Sequence, residues 1–379
     1  MKVVIITSFP FPDGKATANR VRVFAEELVN TGCADKVEIH ARAKSQCGPV
    51  NYNEKIKIVN HIALSSDKNK LFSTALKELV MAFKLWSAAK KSEAQVTIVT
   101  VPSVLLLVPI AIFPSGGKLV LDIRDAVWDY FPSNTLKGFL GNLLALVVCF
   151  VAKRSDIVSV TNTEEAKSVE AISGVQPLVV ANGISLDKIG KFESIELKPI
   201  EGKINISYIG NVGIAQKLDL LIDFARDHQR ELEIHVVGDG TALVGLKEKC
   251  AKAKVFNLTF HGAVGPDIVP QYMERSDILF AQIGMNFKSA VPTKIFEYIA
   301  SGRRILLGLP EGAAKDIFKR FHGVEIFMPG NVESMKQSYD RLLAQDFGLG
   351  ERKNNLDRLK SGHIREKSME ELLAKISDF

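Results

Sequence analysis

Short runs of β-branched and aliphatic residues alternate with amphipathic segments along the whole chain. In the first half these apolar runs predict strands at Val3–Ser8, Val37–Ala41, Ile56–Ile62, Val96–Val101, Lys118–Ile123, Ile157–Thr161 and Leu178–Ala181. Segments of helical period lie between them and include Ala18–Val29, Thr74–Lys90 and Glu164–Ile172. Continuous apolar strands that alternate with helices indicate a parallel sheet covered on both faces.

The same alternation restarts in the second half of the chain. Its apolar runs predict strands at Ile204–Ile209, Leu232–Val237, Leu258–His261, Asp277–Ile283, Arg304–Leu309 and Val324–Phe327. We therefore expect an α/β protein with two facing, doubly wound, Rossmann-like domains, whose ligands bind in the cleft at the carboxyl ends of the strands. The expected boundaries are 1–185 for the first domain, 186–203 for a charged linker, 204–345 for the second domain, and 346–379 for charged helices that pack back on the first domain.

Length and charge narrow the classes of function. A chain of 379 residues is longer than one hydrophobic core usually serves, which agrees with two domains. The net charge of +6 is mild, and the basic residues form no stripe with aromatic neighbours, so nucleic acid is not an expected partner. Dispersed Lys and Arg side chains suit either a phosphate-bearing small ligand or an anionic membrane surface.

The cysteines and the apolar runs indicate the cellular compartment of the protein and its relation to a membrane. The cysteines are Cys33, Cys47, Cys149 and Cys250, without a CxxC pair, so we expect neither disulfides nor structural zinc, and a cytoplasmic protein. The N-terminus lacks the long apolar core of a signal peptide. The run Leu143–Ala152 is followed by Lys153 and Arg154, which suits peripheral contact with an anionic membrane, although a buried core helix is the favoured alternative.

Three glycine-bearing loops follow predicted strands and could hold a phosphate. The first contains Gly14 and precedes a helix, but a simple turn explains it equally well. The second runs from Tyr208 to Lys217, where Gly210 and Gly213 would let a diphosphate approach the backbone beside Asn211, and Lys217 is a candidate counter-charge or a solvated lysine. The third is Gly238-Asp239-Gly240, which is a weak signal because many turns look the same.

The segment Asn286–Gly302 carries the most information. Pro292 is placed to begin a helix and Gly302 to end it. Such a helix start presents free N–H groups with the Thr293 hydroxyl and the Lys294 ammonium, an arrangement that can hold a leaving diphosphate. Glu297 falls on the same face one turn later, and a Lys–Glu surface pair is the competing interpretation.

Arg124 and Asp125 are the candidate catalytic residues. They leave the end of a buried-type strand where ligands of such sheets bind, although a structural Arg–Asp pair would also explain them. The chain has no Asp-x-Asp, which argues against a metal-clamped diphosphate.

These motifs together resemble family 4 glycosyltransferases. The segments that carry the resemblance are Ser207–Asn211, Val237–Gly240, Phe260–Gly262, Tyr272–Asp277 and Val291–Tyr298, with Asp122–Asp125 and Ala181–Ile184 in the first half. The sequence around Arg124 and around Lys294 is most similar to the branch that contains fucosamine transferases of bacterial surface-polysaccharide assembly.

The resemblance implies a GT-B enzyme that transfers a sugar with retention of configuration and without a metal or other cofactor. It implies a UDP-sugar donor held by the second domain, and a glycan or lipid-linked glycan acceptor in O-antigen, capsule or exopolysaccharide synthesis, on the inner face of the plasma membrane. Two alternatives stay open from the residues themselves, a sugar-nucleotide epimerase of similar shape and a non-enzymatic nucleotide-sugar sensor.

The family pattern also assigns roles to single residues. Glu297 matches the second glutamate of a paired motif and would contact the donor ribose, whereas Ser289 stands where the first glutamate is expected. Asn211 and Gln216 replace the usual Arg and Lys of the second-domain loop. We therefore expect Lys294, and after it Lys217, to supply the positive charge, and we take Asp125 as a hypothesis for deprotonation of the acceptor.

Overall fold

A computed structural model describes residues 1–12, 16–43, 48–62, 71–101, 103–131, 135–193 and 202–379. The chain divides into two compact units. Unit 1 comprises Met1–Asn182 together with Arg365–Phe379, and unit 2 comprises Gly183–Ile364.

Unit 1 is built on an eight-stranded sheet. Its strands are β1 (Lys2–Pro10), β2 (Lys36–Ala43), β3 (Gly48–Asn51), β4 (Ile56–Ile62), β5 (Val96–Val101), β6 (Lys118–Ile123), β7 (Ile157–Val160) and β8 (Leu178–Val179). The strand order is β3-β4-β2-β1-β5-β6-β7-β8, and every pairing is parallel except that of β3 with β4. The short β3 has no apolar run and was not predicted.

Helices cover both faces of this sheet. They are α1 (Ala16–Asn30), α2 (Leu71–Lys91), α3 (Leu107–Ile112), α4 (Leu136–Ala152) and α5 (Thr163–Ser173), with α14 (Arg365–Ser368) and α15 (Glu370–Ser377) from the C-terminus. Because side chains alternate along a strand, Val3 and Ile5 pack on the face of α1 and α15, whereas Val4 and Ile6 pack on the opposite face with α2 and α4.

Unit 2 contains a six-stranded, wholly parallel sheet. Its strands are β9 (Ile204–Ile209), β10 (Leu232–Val237), β11 (Leu258–Gly262), β12 (Ile278–Gln282), β13 (Arg304–Gly308) and β14 (Val324–Phe327), in the order β11-β10-β9-β12-β13-β14. Its helices are α6 (Leu186–Glu193), α7 (Leu220–Asp227), α8 (Leu243–Lys252), α9 (Val269–Glu274), α10 (Lys294–Ala300), α11 (Ala313–Phe318), α12 (Val332–Ala344) and α13 (Leu349–Gly362).

The predicted fold class is therefore confirmed: two Rossmann-like units with parallel sheets, followed by a helical C-terminal segment. In each sheet the strands are added first on one side of the initial strand and then on its other side. The initial strand is β1 in unit 1 and β9 in unit 2. This creates a switch point between β1 and β5 and another between β9 and β12. Ligands of open α/β sheets bind outside the carboxyl ends of the strands at such points.

The expected linker differs from the structure. Residues 186–193 form the helix α6, and Ile189 and Phe192 are buried in the core of unit 2 beside the apolar side chains of α10. Two apolar residues in a segment rich in charged residues were too few to predict a helix from their spacing. At the C-terminus, α13 belongs to unit 2, and the part of the chain that packs in unit 1 begins at Arg365.

The helix α4 differs from the expected core helix. Val148 and Val151 are buried, but Phe139, Leu143, Leu146 and Phe150 on the opposite side are 69%, 49%, 66% and 42% exposed. No helix within the described residues is long and apolar enough to cross a membrane.

Candidate functional site

The switch point of unit 2 brings together two loops that are far apart in sequence. One follows β9 and contains Gly210–Lys217, and the other follows β12 and leads to α10. The Gly284 N–H donates to the Ala215 carbonyl at 2.7 Å. The Gln282 Nε2 donates to the carbonyls of Gln216 and Lys217 at 3.0 and 2.8 Å. These bonds hold the first loop against the end of β12.

The loop after β9 does not lead directly into a helix. Residues Ile214–Gln216 form a 3-10 turn, and α7 begins only at Leu220. Gln216 folds back so that its Oε1 accepts a hydrogen bond from the Gly213 N–H at 3.1 Å. The amide of Asn211 also lies over Gly213, where an added Cβ would come within 2.6 Å of Asn211 Nδ2. The residues that replace the expected Arg and Lys thus shape this loop.

Lys217 occupies the left-handed region, with φ of 44°, and its side chain is exposed. This backbone region is strained for a lysine, and such strain is often found at functional positions. Lys217 therefore lies at the switch point with its ammonium accessible to a ligand.

The loop after β10 packs on the loop after β9. A Cβ at Gly238 would lie 1.8 Å from the Gly210 carbonyl oxygen, and a Cβ at Gly240 would lie 2.3 Å from that of Val212. Close approach of two backbones therefore explains both glycines without a ligand. Asp239, between them, is exposed and accepts a hydrogen bond from the Gly240 N–H at 2.7 Å.

The helix α10 is fixed to the end of β9 by Tyr298. Its buried hydroxyl accepts from the Ile209 N–H at 2.9 Å and donates to the Ile209 carbonyl at 3.0 Å. The helix begins at Lys294 with Thr293 as its N-cap, and Gly302, with φ of 71°, follows its end. The prediction of a helix between Pro292 and Gly302 is therefore confirmed.

Glu297 lies between two lysines. Its Oε2 is 2.7 Å from Lys294 Nζ, and its Oε1 accepts from Lys188 Nζ of α6. Burial alone would raise the pKa of the Glu297 carboxyl, but the charges of Lys294 and Lys188 outweigh this effect and lower the pKa. The Glu297 side chain is 12% exposed, and each lysine side chain is about one-third exposed. This lysine–glutamate cluster, formed by Lys188, Glu297 and Lys294, carries one net positive charge.

Lys188 was not predicted as a site residue from the sequence. It lies inside the expected linker, and its partner is 109 residues further along the chain, so no local pattern connects them. Ser289, at the position of the missing glutamate, is buried, whereas Pro292 and Thr293 are partly exposed. The predicted donor-binding residues of unit 2 therefore lie at the carboxyl ends of β9, β10 and β12.

A second group of polar side chains lies at the carboxyl ends of β6 and β7 in unit 1. Arg20 of α1 donates through Nε and Nη2 to the two oxygens of Asp122, at 3.0 and 2.7 Å, and through Nη1 to the Val180 carbonyl. Ser159 donates to the same carboxylate at 2.9 Å. Arg20 and Asp122 are both buried, so the structural Arg–Asp pair in this region is Arg20–Asp122 rather than Arg124–Asp125.

Arg124 and Asp125 lie directly after β6. Burial lowers the pKa of the Arg124 guanidinium to about 10, against the opposing charges of Asp122 and Asp125. Burial raises the pKa of the Asp125 carboxyl, although Arg124 and a hydrogen bond from Tyr130 Oη at 3.3 Å work in the other direction. A carboxylate with a raised pKa is better matched to taking a proton near neutral pH.

Glu165, at the start of α5, completes this group and was not predicted. Its Oε2 accepts from the backbone N–H and the hydroxyl of Thr161, both at 2.8 Å. Burial nevertheless raises the pKa of the Glu165 carboxyl to about 8. The predicted site residue Gly14 lies outside the described residues. Across the part of the chain that is described, no group of three or more His, Cys, Asp or Glu side chains could hold a metal ion.

Residues 203–345 match the model of the family described as Glycosyl transferases group 1. This stretch covers β9 to α12 and contains both loops of the unit 2 switch point. The match supports an enzyme that carries a glycosyltransferase domain. No curated protein sequence matches the chain at a significant level.

Solved structures match the whole chain. Sucrose-phosphate synthase from Thermosynechococcus elongatus aligns with a TM-score of 0.77 at 15% identity, covering 99% of this chain and 98% of that one. The Anabaena protein HepE, in complex with UDP and glucose, aligns with a TM-score of 0.71 at 12% identity, covering 100% of both chains.

The lipopolysaccharide outer core galactosyltransferase WaaB aligns with a TM-score of 0.61 at 14% identity, covering 97% of this chain and 98% of that one. At these identities the likeness shows the fold, which is that of GT-B glycosyltransferases. Membership of the fucosamine-transferase branch stays a prediction.

Proposed function

We propose that this protein is a retaining glycosyltransferase that moves a sugar from a UDP-sugar to a glycan acceptor in bacterial surface-polysaccharide synthesis. The observation that carries the proposal is the lysine–glutamate cluster beside the two loops of the unit 2 switch point. These residues lie within the stretch that matches the glycosyltransferase family, apart from Lys188. HepE, which shares the fold, was solved with UDP and glucose, in support of a nucleotide-sugar donor.

The cluster suits the two ends of a nucleoside diphosphate. Glu297 is ionised and can accept hydrogen bonds from the ribose hydroxyls, while Lys294 and Lys188 offer positive charge to the diphosphate. Lys217 adds a second cation at the end of β9. Stabilising the charge of the departing diphosphate lowers the barrier to transfer, and we propose that these lysines do so without a metal ion.

We assign the acceptor to unit 1, where Asp125 has a raised pKa and accepts the proton of the attacking hydroxyl. In a retaining transfer without a protein nucleophile, most of the rate enhancement comes from positioning and from charge stabilisation. Asp125 then needs only to be close to the hydroxyl.

UDP and UDP-sugars are expected to stabilise the protein against heat in the presence of EDTA. A ligand that binds only the folded state stabilises it by RT ln(1 + [L]/Kd), about 2.7 kcal/mol at a hundredfold excess over Kd. A thermal-shift series with UDP, GDP, ADP and their sugars measures this effect and identifies the base. Stabilisation by GDP or ADP alone would contradict the UDP assignment, stabilisation only after adding Mg²⁺ would contradict metal independence, and no shift with any nucleotide would overturn the proposed function.

We further propose that the acceptor is lipid-linked and that unit 1 contacts an anionic membrane through the exposed face of α4. Phe139, Leu143, Leu146 and Phe150 recur at helical spacing, so they share one side of the helix. Lys153 and Arg154 follow at its end, and the Arg154 guanidinium lies 3.8 Å from the centre of the Phe150 ring. An apolar face beside basic residues is complementary to anionic lipid headgroups above acyl chains.

The substitution Leu146→Asp is expected to reduce the binding of the full chain to anionic vesicles about tenfold. A leucine side chain removed from water contributes about 1.5–3 kcal/mol, and the added carboxylate is repelled by anionic lipid. Vesicle flotation with and without anionic lipid measures the bound fraction. Leu349→Asp is the matched control, because Leu349 is 82% exposed and lies in unit 2. Equal flotation of both variants, or a wild type that dimerises and does not float, would overturn the membrane assignment.

A further inference from the structure

At the carboxyl edge of the unit 1 sheet, buried polar atoms of Thr100, Arg124 and Glu165 lack hydrogen-bond partners within the described residues, as does Ser8 Oγ of β1. Within the residues that the structure describes, Thr100 Oγ1, Arg124 Nε and Nη1, and Glu165 Oε1 are shielded from solvent and make no hydrogen bond. Thr100 is the second-last residue of β5, Arg124 follows β6, and Glu165 lies in the first turn of α5, the helix after β7. These three strands are neighbours in the sheet, so the unpartnered groups belong to one edge.

The strand register places Thr100 on the same face of the sheet as Asp122 and Ser159. Thr100 is opposite Asp122, and Asp122 is opposite Ser159. In-register residues of parallel strands point to the same side of the sheet, and Arg124, two residues after Asp122, continues that side. Because Arg20 of α1 reaches Asp122, this side is the one that α1 covers.

The neighbouring carboxylates are already engaged with other groups. Asp122 accepts from Arg20 and Ser159, Asp125 accepts from Tyr130, and the bonded oxygen of Glu165 accepts from Thr161. The Arg124 guanidinium therefore keeps its charge without a direct counter-ion in the described part of the chain. Buried donors and charges without partners cost stability, and fold stability gives no reason to keep them.

We propose that Arg124 binds an oxyanionic group of the acceptor, a phosphate or a carboxylate, at the carboxyl edge of the unit 1 sheet. Arginine is suited to this task because its planar fork of donors matches the oxygens of such groups. This inference rests on the proposed function, since it names the acceptor chemistry of that reaction. It assigns Arg124 to substrate binding and leaves proton transfer to Asp125.

Glu165 and Thr100 fit the same ligand. With its pKa raised to about 8, Glu165 is mainly protonated at neutral pH, so it does not repel an anion and can donate a hydrogen bond. The Thr100 hydroxyl can donate or accept. Arg20 is a positioning residue, because its hydrogen bonds engage both oxygens of Asp122.

The substitution Arg124→Gln tests this assignment on the full chain with saturating UDP present, so that the donor site is occupied. The probes are inorganic phosphate, inorganic pyrophosphate and glucuronate, with glucose as the uncharged control and chloride to match ionic strength. We expect at least one oxyanion to bind the wild type in calorimetric titrations and to bind Arg124→Gln about tenfold more weakly or not at all. The anions that bind distinguish a phosphate from a carboxylate.

Arg22→Gln is the matched control, because Arg22 is a partly exposed arginine of unit 1 paired with Glu26. It should leave anion binding unchanged. We also expect the unliganded Arg124→Gln variant to melt at or above the wild-type temperature, since unpartnered donors are removed. Equal anion affinity in wild type and Arg124→Gln, no binding of any oxyanion to the wild type, or a lowered melting temperature of the variant would overturn the assignment. Failure of UDP to bind would instead count against the donor site of unit 2.

Discussion

Replacing Asp122 with alanine is expected to lower the free energy of unfolding of unit 1 by about 3–5 kcal/mol. Asp122 is fully buried and accepts two hydrogen bonds from Arg20, whose side chain is 1% exposed. Without the carboxylate, the Arg20 guanidinium stays buried, and among the described residues the Val180 carbonyl is its only remaining hydrogen-bond acceptor. An uncompensated buried charge costs far more than the net contribution of the intact pair, and this asymmetry makes the effect large.

Urea unfolding followed by tryptophan fluorescence measures this loss in the correct unit. The chain has two tryptophans, Trp86 and Trp128, and both are buried in unit 1. The control, also in unit 1, is Lys167→Ala, which breaks the ion pair of Lys167 with Glu164, whose side chains are 73% and 42% exposed, and it should cost less than about 1 kcal/mol. A similarly small loss for Asp122→Ala would contradict the structural role of the Arg20–Asp122 pair.

Replacing Lys294 with alanine is expected to reduce kcat about a hundredfold while changing the free energy of unfolding by less than about 1 kcal/mol. Removal of one preorganised group that stabilises developing charge typically has an effect of this size on turnover. The stability effect is small because Lys294 is one-third exposed and Glu297 keeps its bond to Lys188. Release of UDP from the donor identified by thermal shift, compared with urea unfolding, separates the two quantities.

Lys315→Ala provides the matched control for this experiment. Lys315 also lies near the start of a short helix of unit 2, α11, and pairs with a glutamate, Glu311. That glutamate is 82% exposed, unlike Glu297. It should retain wild-type turnover. If Lys294→Ala unfolded the protein or left kcat unchanged, the Lys294–Glu297 contact would be a structural pair, as one interpretation of the sequence held.

Much of the fold could be predicted because its signals are local. The apolar runs of β5 and β6 and the amphipathic period of α1 reflect which side of each element is buried, and that information lies within a few neighbouring residues. The helix α10 was bounded by Pro292 and Gly302 for the same reason. In contrast, α6 was taken for a linker because its two buried residues are separated by charges.

The candidate site was predicted in part. Glycine loops, a proline-led helix and the pair Arg124-Asp125 are contiguous motifs, so they were visible in the sequence. The physical reasons for these residues were not visible in the sequence. Gly238 and Gly240, for example, are required because the neighbouring loop approaches their backbone closely. Lys188 and Glu165 were missed because neither stands in a motif.

By itself the sequence determined the alternation of strands and helices, two parallel sheets in series, and the loops in which polar and glycine residues follow strands. Only the tertiary structure decided which charges meet: Arg20 with Asp122 across 102 residues, and Lys188 with Glu297 across 109. It also decided that one face of α4 stays exposed and that Arg124 Nε and Nη1 are buried without a hydrogen-bond partner among the described residues. The hydrophobic period of a segment shows which of its sides faces the core. The pairing of charged side chains depends instead on the connections between strands, which bring distant residues to the same edge of a sheet.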